Sequence, residues 1–68
     1  MATYKLIKLV GTSPRSLEDA IQSAVADASK SLRDLAWFEV VEQRGRVKDG
    51  VVAEFQVTLQ VGFKVEAD

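Results

Sequence analysis

The dipeptide Asp49-Gly50 lies between two stretches rich in β-branched and aromatic residues, roughly 37–47 and 51–65. Asp-Gly favours the two-residue type I′ turn, because both central residues of that turn need positive φ. A turn of this length joins two antiparallel strands and sets their register. The cross-strand pairs predicted from it include Lys48 with Val51, Gln43 with Gln56, and Trp37 with Gly62.

One strand and one helix are predicted before this hairpin. Residues 3–10 are rich in β-forming residues and end at Gly11, with an exit loop of residues 12–14. From residue 16 to residue 36 apolar side chains recur at helical spacing, which predicts one amphipathic helix of about five turns. Ser16 and Asp19 resemble a capping box at its start. The apolar stripe consists of Leu17, Ala20, Ile21, Ala24, Val25, Ala28, Leu32 and Leu35.

These elements predict a single α+β domain over residues 1–68. Its order is β-α-β-β, with a three-stranded antiparallel sheet packed on one amphipathic helix. A chain of this length without cysteine has no disulfides, and its core rarely supplies more than roughly 3–5 kcal/mol. Self-association is therefore expected, and the outer edge of the long third strand is the expected pairing surface.

The composition excludes several classes of function. The chain has no Cys and no His, which removes thiol nucleophiles, imidazole bases and the usual zinc ligands. The formal net charge is −1, unlike the basic footprint of a nucleic-acid-binding protein. No apolar stretch is long enough to span a bilayer, and the first residues do not resemble a signal peptide. We expect a soluble, cytoplasmic protein without nucleic-acid or membrane partners.

Alternation along the hairpin sorts its side chains onto two faces. The helix is expected to cover the face that carries Phe38, Val40, Phe55, Val57, Leu59, Val61 and Phe63. Glu42 and Arg44 also fall on this face in a regular hairpin, and a β-bulge near either residue would move them. The opposite face is expected to carry Trp37, Glu39, Val41, Gln43, Gln56, Thr58, Gln60, Gly62 and Lys64.

Trp37 is the only tryptophan of the chain, and it is predicted on the face that the helix leaves open. Opposite Gly62, its indole would form a flat wall with open space beside it. Gln56 brings a hydrogen-bond donor and an acceptor to the same face, which suits a planar heterocycle. The pattern alone favours an interface or core role for a lone tryptophan on a sheet. Arginines near a hairpin tip are typical of solvated or edge-blunting residues.

Several short motifs together resemble the dodecin family. Their order and spacing are intact over nearly the whole chain. They are Val10-Gly11-Thr12-Ser13-Pro14, Ala20-Ile21, Leu35-Ala36-Trp37-Phe38-Glu39-Val40, Arg44-Gly45, Asp49-Gly50, Phe55-Gln56-Val57-Thr58-Leu59 and Val61-Gly62-Phe63.

The resemblance implies a flavin-binding protein that assembles as a hollow homododecamer. Trp37 matches the tryptophan that stacks on the isoalloxazine ring, and Gln56 matches the glutamine that hydrogen-bonds the edge of the ring. Arg44 matches an arginine associated with the FMN phosphate in some members. FMN is therefore the expected ligand, with riboflavin or FAD as alternatives. Arg46 stands where members often carry His or Thr, and Lys64 stands where they often carry Arg. Both are included in the predicted flavin site, although Lys64 offers phosphate a point charge without the fork of Arg.

The implied role is flavin storage and sequestration with quenching of flavin photochemistry, and not catalysis. No catalytic residue or metal site is predicted, and Glu39 is the one candidate base on the tryptophan face. The alternative is a structural assembly, or one that binds coenzyme A or metal ions without flavin. The presence of Trp37 argues against that alternative.

Overall fold

A computed structural model of the protein describes residues 1–65. Its elements are β1 (Tyr4–Ser13), α1 (Leu17–Ala28), β2 (Leu35–Lys48) and β3 (Val51–Lys64). The three strands form one antiparallel sheet, and the predicted α+β class with the order β-α-β-β is confirmed. Within the described residues, no helix has the length and apolar character needed to cross a membrane.

β3 is the central strand of the sheet, which has the order β1-β3-β2. The expectation that β3 presents an unpaired outer edge is therefore wrong. β1 and β2 both run antiparallel to β3, and the connection through α1 leaves room between them for β3. Val57, Leu59 and Val61 of β3 are at most 1% exposed. The strand with the most deeply buried apolar side chains thus has a neighbour on each side, and β1 and β2 form the edges of the described sheet.

The Asp49-Gly50 turn has the predicted geometry. Asp49 has a φ of 53° and Gly50 a φ of 75°, as a type I′ turn requires. The sheet register confirms two of the predicted pairs, which are Lys48 with Val51 and Trp37 with Gly62.

β1 continues three residues beyond its predicted end, because Gly11 lies within the strand and does not terminate it. A Cβ atom at Gly11 would overlap the carbonyl oxygen of Ala20 and would lie 2.9 Å from the Cβ of Ala24. Gly11 is therefore the point at which the backbone of α1 comes closest to the sheet. Glycine permits that close approach.

α1 begins where predicted and ends earlier. It has 12 residues and stops at Ala28, whereas the apolar spacing predicted about five turns. Ser29 and Ser31 disfavour continuation, since serine side chains compete for backbone hydrogen bonds. Asp34 then adopts a left-handed φ of 60° before β2 begins. Leu32 still packs against the core from the connecting segment.

The start of α1 is tied to the end of β1 through Asp19. Ser16 is the N-cap, and its Oγ accepts a hydrogen bond from the backbone N–H of Asp19 at 3.0 Å. The carboxylate of Asp19 does not close a capping box, because its Oδ2 accepts from Ser13 Oγ at 2.7 Å and from Arg15 Nη2 at 2.8 Å. The Ser13 hydrogen bond, aided by the charge of Arg15 and opposed by desolvation, lowers the pKa of Asp19 below its ordinary value of 3.8.

The core lies between α1 and the β1–β3 part of the sheet. Ala20 and Ala24 of the helix meet the buried side chains of β3. The predicted stripe packs around them, with Leu17, Ile21, Val25, Leu32 and Leu35 partly buried. α1 does not reach across to cover β2, and Phe38 on its helix-facing side is 50% exposed. The hairpin from residue 41 to residue 53 is exposed along its whole length.

Candidate functional site

A β-bulge in β2 changes which side chains share a face of the sheet. The register shifts by one residue between Val40 and Glu42, which makes Val41 the extra residue. A second shift between Arg46 and Val47 restores the original register before the turn. Between these two points every side chain of β2 points to the face opposite to that of a regular hairpin.

The predicted pair of Gln43 with Gln56 is wrong for this reason, and the bulge that would move Glu42 and Arg44 is present. Arg44, and not Gln43, faces Gln56, and Gln43 faces Val57 on the helix side. Glu42 and Arg44 lie on the face away from the helix, where their charges reach solvent. The bulge thus transfers the two charged residues to the face away from the helix and places Arg44 opposite Gln56, which a regular hairpin would not do.

We call the side of the sheet away from α1 the open face. It has a ladder of side chains contributed by β1, β3 and β2 in turn. The successive rungs are Leu6–Gly62–Trp37, Lys8–Gln60–Glu39, Val10–Thr58–Glu42 and Thr12–Gln56–Arg44, and Glu54–Arg46 continues the ladder on β3 and β2.

At one end of the open face the indole of Trp37 lies over Gly62. A Cβ at Gly62 would overlap two carbons of the indole ring and would lie 2.8 Å from its Cδ2. The predicted open space beside the indole is therefore filled by the indole itself. The Tyr4 ring contacts it from β1, with centroids 4.9 Å apart and planes inclined by 53°. Trp37 is 45% exposed, so part of its ring remains accessible to a ligand. Tyr4, Trp37 and Gly62 are called the indole end.

At the other end, four polar side chains form a continuous chain of contacts. Arg44 Nε donates to Gln56 Oε1 at 2.7 Å, and Gln56 Nε2 donates to Glu54 Oε1 at 2.9 Å. Arg46 Nη1 lies 3.9 Å from the same Glu54 oxygen. Arg44, Arg46, Glu54 and Gln56 are called the arginine end.

The predicted site residues are thus divided between the two ends. The structure brings Gln56, Arg44 and Arg46 together and places Trp37 elsewhere. Gln56 and Gly62 are six residues apart on β3, and at about 3.3 Å per residue this separation is roughly 20 Å. Lys64 lies two residues beyond Gly62, opposite Tyr4, and is exposed near the indole end.

Two residues of these clusters were not identified from the sequence. Glu54 shares a face with Gln56 by simple alternation, so its spacing of two residues was the available signal. Tyr4 offered no such signal, because its contact with Trp37 depends on which strand β1 pairs with. Glu39, the one candidate base, faces Gln60 and is exposed.

The chemistry offered by the open face is stacking, hydrogen bonding and attraction of anions. Trp37 supplies an aromatic surface, Gln56 an amide, and the two arginines of the arginine end supply positive charge. Among residues 1–65, no group of three acidic, His or Cys side chains converges in a way that could hold a metal ion.

Two relatives match this chain over nearly its full length. A calcium dodecin from Mycobacterium tuberculosis is 37% identical over 65 residues, which cover 96% of this chain and 92% of that protein. Its crystal structure, described as having a novel calcium-binding site, matches with a TM-score of 0.82 at 36% identity and covers 97% of this chain and 94% of that chain. The structure of dodecin from Streptomyces coelicolor matches with a TM-score of 0.94 at 46% identity, covering 98% and 96%.

The amino-acid sequence also matches dodecins over almost its full length. The family model for dodecin matches residues 3–66. A dodecin from Thermus thermophilus is 56% identical over 63 residues, which cover 93% of this chain and 91% of that protein. With its β-α-β-β fold and these matches, the chain belongs to the dodecin family.

Proposed function

We propose that this protein stores and sequesters flavin in the cytoplasm, with the isoalloxazine ring stacked on Trp37 and without catalysing a reaction. The observation that carries the proposal is the indole held over Gly62 with part of its ring accessible. An indole packed against a glycine backbone offers its other side to a planar ligand. Stacking of aromatic systems contributes about 0.5–1.5 kcal/mol beyond the burial of their area. The electron-rich indole is also a suitable quencher of flavin fluorescence.

The arginine end fits the polar parts of the same ligand. The amide of Gln56 has two N–H groups and two oxygen lone pairs, and the contacts within the chain use one of each. One donor and one acceptor remain for the pyrimidine edge of a flavin. Among the hydrogen bonds of residues 1–65, Arg44 uses only its Nε. Its terminal nitrogens, with Arg46, suit a phosphate, and this favours FMN over riboflavin, with FAD as a further possibility.

The distance between the two ends supports a site shared by several copies of the chain. Roughly 20 Å separates Trp37 from Gln56 along the sheet, which exceeds the length of a three-ring isoalloxazine. A flavin that contacts both residues therefore takes them from different copies. Leu6 and Val10 on the open face are 51% and 57% exposed, and such apolar surface is commonly covered by a partner. The proposed assembly is the homododecamer expected for the family.

Lys64 is proposed to take part from the indole end. Its ammonium is a compact charge on a flexible stem, which can approach a phosphate without a fixed geometry. In a site shared between copies, Lys64 of one chain and the arginine end of another can both reach the same ligand.

A metal-binding or structural assembly without flavin is the competing function, and the calcium dodecin relative is the observation in its favour. Ca²⁺ binds oxygen ligands, and an indole has none, so the accessible Trp37 ring would not contribute to calcium binding. We therefore favour flavin.

The deciding experiment is denaturation of the purified protein, followed by chromatography of the released chromophore. FMN, riboflavin or FAD in a constant ratio to the chain supports the proposal and identifies the ligand. A colourless protein that leaves the fluorescence of added flavin unchanged, while calorimetry detects Ca²⁺ or coenzyme A binding, would favour the competing function. Light scattering on the same sample should show a large assembly, and a stable folded monomer would contradict the proposed dodecamer.

A mixed assembly tests whether the site is shared. Trp37→Ala and Gln56→Ala chains are each expected to bind flavin weakly. If Trp37 and Gln56 of one site come from different copies, co-refolding the two variants should regenerate a fraction of tight sites. Equal mixtures that bind no better than either variant alone would show that a single chain supplies both residues.

A further inference from the structure

The Gln56 amide lies between two groups, and each of them can form its hydrogen bond with only one orientation of the amide. Arg44 Nε is a donor, so the amide atom 2.7 Å from it must be the oxygen. The Glu54 carboxylate is an acceptor, so the atom 2.9 Å from it must be the nitrogen. A flipped amide would face both neighbours with the wrong group. The two contacts together therefore define the direction in which Gln56 presents its remaining donor and acceptor.

Glu54 is itself held in place. Its carboxylate oxygen Oε1, which accepts from Gln56, is also 3.9 Å from Arg46 Nη1. Its side chain is 28% exposed, compared with 67% for that of Arg46. A partly buried carboxylate with a cationic neighbour is better fixed than a solvated one. Glu54 can thus act as a stable acceptor for the Gln56 amide.

We propose that Glu54 is a positioning residue that sets the orientation of the Gln56 amide and thereby the ligand edge that this site selects. This inference rests on the proposed flavin binding and deepens it. An oriented amide recognises an imide edge, in which an N–H group lies beside a carbonyl, in one order only. Without Glu54 the amide nitrogen loses its partner, and the side chain regains rotational freedom that binding must then remove.

A second effect of Glu54 has to be separated from positioning. Removing the carboxylate leaves the positive charges of Arg44 and Arg46 less balanced, which would strengthen binding of any phosphate. Riboflavin carries no phosphate and does not report this effect. The informative pair of ligands is therefore riboflavin and riboflavin methylated on the imide nitrogen of its pyrimidine ring, because the methyl group removes the N–H that an oriented acceptor recognises.

The test is titration of both ligands into the assembled protein and its variants. Glu54→Ala should weaken riboflavin binding about three- to tenfold, the range for one net hydrogen bond, and should reduce the preference for riboflavin over its methylated form. Glu54→Gln keeps an acceptor oxygen and should retain both the affinity and the preference. Glu42→Ala is the matched control, since it removes a carboxylate from the rung on the other side of Gln56 and should change neither.

Two results would overturn the inference. One is an unchanged preference in Glu54→Ala. The other is a Glu54→Gln protein as defective as Glu54→Ala, because charge and not hydrogen bonding would then be responsible. If the unaltered protein binds neither ligand, the proposed function itself fails. Crystal structures of ligand-free wild-type and Glu54→Ala protein then decide the positioning role alone: a rotated Gln56 amide in the variant supports it, and an unmoved amide refutes it.

Discussion

The indole of Trp37 occupies the space that a side chain at Gly62 would fill. The two residues are direct cross-strand partners, and a Cβ on Gly62 would overlap the six-membered ring of the indole. The absence of a side chain on one strand therefore determines the orientation of the largest side chain on the next. With Tyr4 contacting the ring from β1, three strands contribute to the position of one aromatic surface.

We expect Gly62→Ala to reduce flavin affinity by about tenfold or more, equivalent to roughly 1.4 kcal/mol, because the new methyl group lifts the indole from the sheet. Titration by flavin fluorescence measures the affinity. The emission spectrum of Trp37, the only tryptophan, reports the displacement directly. Thr58→Ala, on the same face of β3, should leave both unchanged. Wild-type affinity in Gly62→Ala would show that the flat indole is not required.

Trp37→Ala should lower flavin affinity by one or more orders of magnitude and abolish much of the fluorescence quenching. It should leave the helix content and the assembly largely intact, because the core lies on the other face of the sheet. Flavin titration together with size-exclusion chromatography and circular dichroism measures all three. Phe38→Ala is the comparison, since Phe38 is adjacent in sequence and faces the helix side; it should cost stability more than flavin affinity. Lost assembly with unchanged affinity per folded site would make Trp37 structural.

Arg44→Ala should weaken FMN binding more than riboflavin binding. A charge-assisted hydrogen bond contributes roughly 1.5–3 kcal/mol, and only FMN has the phosphate that receives it. Riboflavin should lose a smaller amount, because Gln56 loses its contact with Arg44 Nε. Parallel titrations at low and high salt measure the difference, which salt should reduce if the contact is exposed. Arg33→Ala, outside the sheet, is the control. Equal weakening of both ligands would exclude a phosphate contact.

Asp19→Asn should destabilise the fold at neutral pH and flatten its loss of stability in acid. The pKa of Asp19 is lowered in the folded chain, so its contribution is fully present above the unfolded-state value of 3.8. The contribution is lost as the pH falls from there toward the lower folded-state pKa. Denaturant unfolding at pH 7 and below pH 4 measures both effects. Glu18→Gln, the adjacent acidic residue of the first helical turn, should show a smaller change. Identical acid profiles for Asp19→Asn and wild type would contradict the assignment.

The preferences of residues that are close in the sequence were sufficient to predict the turn and the start of the helix. The positive φ values of Asp49 and Gly50 follow from the preferences of these two residues, and the turn places Trp37 opposite Gly62. The N-cap at Ser16 is equally local. The apolar spacing also identified the helix stripe that packs on the core, although it overestimated the length of the helix.

The candidate site could be predicted only in part from the sequence. Alternation predicted the open face for Trp37 and Gln56, and the structure places both there. Their roles toward flavin came from the resemblance to the family and remain predictions. The separation of roughly 20 Å between them follows from strand geometry, because both lie along one continuous sheet.

The sequence by itself determined the turn, the start of the helix, the α+β class and the faces of the long apolar strand. Only the tertiary structure decided that β3 is central, that Val41 forms a bulge, and that Arg44 consequently contacts Gln56. The physical reason is that these features arise from competition between distant parts of the chain. A bulge interrupts the ladder of backbone hydrogen bonds, and where the chain accepts that interruption depends on how the strands pair across the whole sheet.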